Sequence, residues 1–539
     1  MNSAIESYDA TLREGKQAMG VNFGVDALLA IIKLLNQLGV DIIECGWPGA
    51  NSAWDYLFSA IGSDQVVLEN GTRLAAFAST RRAQKTVRSD SLFQKLLAAP
   101  VDIMTIFGKS WLAHVDLALK TTPENNLAMI KESVAAIKAA GKMAIFDAEH
   151  FFQGVNEDGD SYPFSVLEAA VEGGADRLVL CDTNGIAYSW EVENIVSRVV
   201  DRFGSQAAIG VHMHGDRGME NANTLAALRV GARHFQGTVN GYSERVRMTC
   251  TLETLANLSL LAESGNAWAQ INQVFDSTLI KHVSREVDRL AGQHPNPRKP
   301  IVGRASSTHK AGVHVSGGQR AGWKLYESHD PARFGRQRHI VLSGMAGKSG
   351  VSAFASSAWN VDLNNCATIE AILAEVEQLE AKGYSFDSCS GSAALLIARY
   401  LWPDQVNQFN PIDYHFSTPP AGLPGEIMAH VGVGNHQYVS AFGDGPVDAL
   451  CRAVLSHVAP QHSCLSDLEL DEYMSYQLLV SGKDGTASAM RVEINWKSKR
   501  LGSFTTQGVS TNIIDASWGA IKEAISLAMT KQWRSEAVI

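Results

Sequence analysis

Residues 209–232 of the chain run IGVHMHGDRGMENANTLAALRVGA. An apolar lead-in, Ile209 to Val211, runs into His212 and His214 and then into a segment with helical spacing. On a strand, residues i and i+2 share a face, so both imidazoles point the same way where the strand ends. The same strand-then-helix texture fills the first half of the chain. Candidate strands are SYDATLREG (7–15), VDIIECGWP (40–48), RLAAFAS (73–79), VDIMTIFGK (101–109), GKMAIFDAEH (141–150), ADRLVLCDTNG (175–185), AAIGVHMHGD (207–216) and RHFQGTVNGY (233–242). The intervening VDALLAIIKLLNQLG (25–39) and PENNLAMIKESVAAIKAAG (123–141) carry apolar residues at helical spacing and stop at Gly39 and Gly141. Such units imply a parallel sheet with crossover helices, and about eight of them fit a closed (β/α)8 TIM barrel better than an open sheet.

Barrel active sites lie where the strands end. The polar residues gather there: Arg13, Glu14, Glu149, Asp182, Thr183, His212, His214 and Asn240. Two imidazoles and one carboxylate form a common set for a divalent metal, with positions left open for substrate. An isolated HxH is more often an ordinary interior or surface pair; its placement at a barrel mouth, with Glu14 after the first strand, favours the ligand reading. Arg13 beside that carboxylate is a fixed cation able to steady an oxyanion, where an isolated RE pair would be a surface ion pair.

Past residue 285 the texture changes. GQHPNPRKPIVGRASSTHKAGVHVSGGQRAGW (292–323) reads as a linker and loop region with little core of its own. Helical spacing returns in CATIEAILAEVEQLEAKG (366–383), and STPPAGLPG (417–425) marks a second boundary. YMSYQLLVSGKDGTASAMRVEINW (473–496) reads as two strands about a KDG turn, with Val492, Ile494 and Trp496 on one face. A helix follows from polar cap candidates Ser510 and Thr511. The expected architecture is α/β: a catalytic barrel over 1–285, linker and helical subdomains completing the active site over 286–420, and a regulatory or dimerising α/β domain over 421–539.

The balance of 46 basic against 56 acidic residues, net −10, argues against a nucleic-acid or anionic-membrane partner. The seven cysteines are scattered without a CxxC pair, which suits a reducing, cytoplasmic setting and no cysteine metal site. The N-terminus does not read as a signal peptide, and no apolar stretch approaches the length of a membrane span.

Several motifs together carry a resemblance. DATLREGKQ (9–17), HMHGD (212–216), NGYSERVRMTCTLE (240–253), THKAGVHVSG (308–317) and YESHDP (326–331) resemble the acyl-CoA-dependent 2-oxo acid condensing enzymes, the isopropylmalate, homocitrate and citramalate synthases. CGWPGAN (45–51), TIFGKSW (105–111), DAEHFFQG (147–154), DRLVLCDTNG (176–185) and the ending GKDGTASAMRVEINW (482–496) with GVSTNIIDASW (508–518) are nearest the citramalate branch.

The resemblance implies a metal-dependent Claisen-type condensation of acetyl-CoA with a 2-oxo acid, pyruvate to citramalate, with release of CoA. Glu14, His212 and His214 would bind the divalent metal (Mn2+, Mg2+, Zn2+ or Co2+). Arg13 would stabilise the carbonyl oxygen, Thr183 would hold the substrate carboxylate, and Gln17 would lie close by. Glu149 and His314 are the candidate acid/base residues, with Glu149 alternatively supporting a metal-bound group. Tyr326 either assists, reaching the active site of the neighbouring subunit, or packs ordinarily.

The resemblance further implies a homodimer, feedback by isoleucine or leucine at the C-terminal domain, and a place in branched-chain amino-acid biosynthesis. The chain departs from the family pattern at Ala78, Gly215, Ser243, Arg247 and Met248. Those departures leave two alternatives open: the same chemistry on another 2-oxo acid, a more acidic one met by Arg247, and a catalytically silent effector-binding homologue. A retro-aldol lyase of the same barrel group is less favoured, because such enzymes generally lack the linker region and the terminal module.

Overall fold

The computed structural model describes residues 4–272, 275–406, 409, 411, 413–417, 427–433, 437–478 and 488–537. Two compact units divide the chain: Met1–Ser306 with His329–Gln337, and Ser307–Ser328 with Arg338–Ile539.

The first unit is a closed barrel of eight parallel strands in sequence order: β1 Glu6–Asp9, β2 Ile42–Glu44, β3 Arg73–Ser79, β4 Ile103–Lys109, β5 Met143–Glu149, β6 Arg177–Asp182, β7 Ala208–Met213 and β8 His234–Gly237. β1 pairs with both β2 and β8, which closes the ring. Strand alternation sorts the side chains into two cores. Tyr8, Ile42, Ala75, Ile103, Ile145 and Val179 fill the barrel interior, while their neighbours along each strand pack outward on the helices. Gly210 keeps that interior layer level, since a Cβ there would stand 2.7 Å from His234. The Val25–Leu38 helix ends at Gly39, whose φ of 91° suits a residue without a Cβ.

The first strand is shorter than its motif. β1 stops at Asp9, and Ala10–Glu14 form a turn in which Arg13 and Glu14 N–H both donate to the Ala10 carbonyl, before a 3-10 turn at Gly15–Gln17.

The second unit corrects two expectations. The Gly- and Ser-rich segment read as loop contains the helix Gly312–Ala321, because its small residues serve close packing: a Cβ on Gly312 would lie 2.4 Å from the Ala346 carbonyl oxygen. The last helix, Ile513–Glu536, is capped by neither Ser510 nor Thr511. The preceding strand runs to Ser510, so the cap falls to Asn512, whose side chain accepts from Ile514 N–H at 2.9 Å.

Strands Glu469–Leu478, Ala489–Ser498 and Gly502–Ser510 form an antiparallel sheet under that helix, with Val492, Ile494 and Trp496 fully buried. The KDG turn lies outside the described residues. A second antiparallel sheet joins Tyr414–Ser417, Ile427–Gly432 and Tyr438–Gly443. Among the described residues no helix is long and apolar enough to cross a membrane.

Candidate active site

The period of two that fills the barrel also equips its mouth. Along β5, Ile145 faces the interior core, so Asp147 and Glu149 face inward above it. The same alternation turns Glu44, Phe77, Phe107, Cys181 with Thr183, His212 with His214, and Gln236 inward at the carboxyl ends of their strands. Arg13, Glu14, Gln17, Asp147, Glu149, Thr183, His212 and His214 line one pocket of about 220 Å³, walled by Trp47, Phe77 and Phe107. The rings form a cluster, Phe77 stacked on Phe107 at 5.4 Å and Trp47 edge-on to both.

Arg13 is buried between two carboxylates. It donates to Glu44 through Nε at 2.5 Å and NH2 at 3.2 Å, and to Glu14 through NH1. Its guanidinium also lies 3.7 Å from the Phe77 ring centre. Tyr8 OH completes the Glu44 set at 2.8 Å. Burial alone would raise the Glu14 carboxyl; the Arg13 charge is the main influence that holds it at about 2 instead.

The imidazoles are oriented from behind. His212 Nδ1 lies 2.7 Å from Gln236 Oε1, and Gln236 Nε2 donates to Asp147 Oδ1 at 2.9 Å. Because the amide oxygen only accepts, His212 carries its proton on Nδ1 and presents the Nε2 lone pair to the mouth. His214 Nε2 faces it at 3.3 Å, while His214 Nδ1 meets Ser243 Oγ at 3.2 Å. Burial, then the neighbouring His212, hold the His214 imidazole neutral, with its pKa near 3. Two neutral imidazole nitrogens converging beside a carboxylate suit a divalent cation by donor type. They do not form a closed shell: Glu14 Oε1 is 3.9 Å from His214 Nε2, drawn toward Arg13 and Ser243. Among the described residues no three His, Cys, Asp or Glu stand at preformed coordination spacing.

Glu149 is paired with Lys109, the inward residue at the end of β4. Thr183 Oγ1 accepts from His150 N–H at 2.9 Å, which leaves its own proton to donate. His314 and Tyr326 belong to the second unit, where their rings stack at 4.7 Å. The remaining polar residues read at the strand ends serve the scaffold. Asp182 accepts the Ile186 and Ala187 N–H groups, and Asn240 bonds Ser284 and Asp288.

Arg247 does not line the pocket either. Its Nε is 2.7 Å from Glu220 Oε1, too poorly aligned for a good hydrogen bond, and its NH2 donates to Glu253 Oε2 at 3.1 Å. A charge already engaged by two buried carboxylates is not available to a substrate carboxylate, contrary to the role weighed for it from sequence.

Glu44, Asp147 and Gln236 were missed by the sequence reading. Each stands at an inward position of its strand, and counting by two from Glu149 or along HFQG would have found Asp147 and Gln236. Burial, then the Glu44 charge, push the Asp147 carboxyl up to about 8, so at neutral pH it is a carboxylic acid in the pocket wall.

A family model described as HMGL-like matches residues 4–285, and one described as the LeuA allosteric (dimerisation) domain matches residues 407–529. Over 99% of both chains the sequence is 35% identical to an (R)-citramalate synthase of Sulfolobus acidocaldarius. It is 34% identical to an (R)-citramalate synthase of Aquifex aeolicus, over 98% of this chain and 99% of that one. A 2-isopropylmalate synthase of Histophilus somni is 26% identical over 98% of this chain and 96% of its own.

Proposed function

The chain belongs to the HMGL-like family, in the branch of the (R)-citramalate and 2-isopropylmalate synthases, and from that premise we propose that it makes citramalate from acetyl-CoA and pyruvate. It is an acyltransferase that joins the acetyl methyl carbon to the carbonyl carbon of a 2-oxo acid; water then cleaves the thioester and CoA leaves as the free thiol. The observation that carries the choice of pyruvate is identity of 33–35% to (R)-citramalate synthases over essentially the whole chain, against 26% to a 2-isopropylmalate synthase.

Glu14, His212 and His214 would hold the divalent cation, Mn2+, Mg2+, Zn2+ or Co2+. When bound, it supplies a Lewis acid and a template for the carbonyl and carboxylate oxygens of the 2-oxo acid. Arg13, kept charged between Glu14 and Glu44, stabilises negative charge on the carbonyl oxygen as the new bond forms. Thr183 donates its hydroxyl proton to the substrate carboxylate, and Gln17 closes the rim. Glu149 takes the α-proton of the acetyl group, with Lys109 supporting its charged form. His314 and Tyr326 serve the proton transfers from a neighbouring copy of the chain. In this reading the barrel of 1–285 carries the chemistry, 286–420 completes the site, and 421–539 dimerises and senses an amino-acid effector in a cytoplasmic enzyme; the match to an allosteric dimerisation domain supports the last assignment.

The test is incubation of the full chain with acetyl-CoA, Mn2+ or Mg2+ and a panel of 2-oxo acids, following free CoA thiol. Fastest turnover with pyruvate is expected. Turnover confined to a larger or dicarboxylic acid would replace the substrate, and no thiol release with any acid would end the reading.

A further inference from the structure

We propose that Ser243 is a positioning residue of the metal centre, its hydroxyl joining Glu14 to His214 and fixing which His214 nitrogen carries the proton. The inference rests on the reading of Glu14, His212 and His214 as metal ligands.

Ser243 is buried, and its Oγ lies 3.2 Å from Glu14 Oε1, 3.2 Å from His214 Nδ1 and 3.2 Å from the Glu244 carbonyl oxygen. A hydroxyl has one proton to give and two lone pairs to receive with. The Glu14 carboxylate, the only charged acceptor of the three, draws that proton. His214 Nδ1–H then donates to Oγ, which leaves the His214 Nε2 lone pair turned toward His212 Nε2.

Gln236 sets the opposite imidazole in the same sense. Two lone pairs 3.3 Å apart repel unless a cation joins them, so the fixed tautomers store a preference for metal at this point. Without the hydroxyl, His214 is free to carry its proton on Nε2 and donate it to His212, which occupies both nitrogens with each other. Glu14 is then held by Arg13 alone. Partners of this kind behind metal-bound histidines are worth about 10- to 100-fold in metal affinity.

The experiment is titration of the metal-free full chain with Mn2+ alone, followed by the electron paramagnetic resonance signal of the free ion, for the parent, Ser243→Ala and Ser243→Thr. Melting temperature is measured alongside, to confirm that the variants fold. Ser243→Ala should bind Mn2+ at least tenfold more weakly at an unchanged melting temperature, and Ser243→Thr, which restores the hydroxyl, should recover most of the loss. Equal binding by the parent and Ser243→Ala overturns the inference while the metal reading stands. A parent chain that binds none of Mn2+, Mg2+, Zn2+ or Co2+ overturns both.

Discussion

Replacing Asp147 with asparagine should make the protein progressively more stable than the parent as pH rises from 5 to 7. Asp147 is 3% exposed and makes one hydrogen bond, from Gln236 to Oδ1, which an asparagine carbonyl also accepts. Burial, then the Glu44 charge, raise its folded pKa to about 8, whereas in the unfolded chain an aspartate titrates near 3.9. A folded value above the unfolded one means that, between them, the native state binds one proton more. Stability then falls as pH rises through that window, by about 1.4 kcal/mol per pH unit. From pH 5 to pH 7 the parent should therefore lose about 2.7 kcal/mol relative to Asp147→Asn, which has no proton to shed. Below about pH 3.5 both states of the parent are protonated and the gap should close. Guanidinium unfolding in EDTA, at half-unit pH steps for both proteins, measures the gap directly. A gap that stays constant from pH 5 to pH 7 would show that Asp147 is ionised in the fold, and the argument from burial beside Glu44 would fail.

Removing the Arg247 charge by Arg247→Met strands Glu220 and Glu253 in the interior and should cost about 3–5 kcal/mol, read by thermal or guanidinium unfolding. If stability were kept and KM for the 2-oxo acid rose tenfold instead, Arg247 would be a substrate contact after all. Glu149→Gln, which keeps shape and removes the base, should lower kcat by about 100- to 10,000-fold. Its KM for the 2-oxo acid should stay within a few-fold, and a loss confined to KM would move Glu149 from proton transfer to binding. His212→Ala should abolish Mn2+ binding measured without substrate; retained binding would take His212 out of the ligand set.

Strand alternation and strand-helix repetition were enough to read the barrel, and the motif-bearing positions of the mouth came with it. What escaped was the support behind them. Glu44 sits in an apolar run, IIE, where nothing local marks it as the partner of Arg13; the pairing exists only because β1 and β2 are neighbours in the ring. Gln236 and Asp147 are 89 residues apart and meet across the barrel interior. The Gly312–Ala321 helix was misread for a related reason. Glycine weakens a helix locally, but here tertiary contact favours it: a Cβ at Gly317 would fall 2.5 Å from the Tyr326 ring, so the small residue is what lets that ring approach.

Two of the departures from the family pattern, Gly215 and Arg247, are neighbours in the fold. A Cβ on Gly215 would stand 2.4 Å from Glu220 Oε2 and 3.0 Å from Arg247 Cγ, so the space beside residue 215 is taken by the pair that Arg247 forms. A side chain at 215 would have to displace the Glu220 carboxylate that faces Arg247. Met248, fully buried, forms a backbone bridge with His214 just past the end of β7. Neither Ser243, Arg247 nor Met248 lines the pocket. The groups that do line it include the aromatic wall of Trp47, Phe77 and Phe107, Asp147 beside that wall, and the cations Arg13 and Arg245. On the side of the ring cluster a short uncharged tail is favoured over a second carboxylate, which agrees with the choice of pyruvate that sequence identity carries.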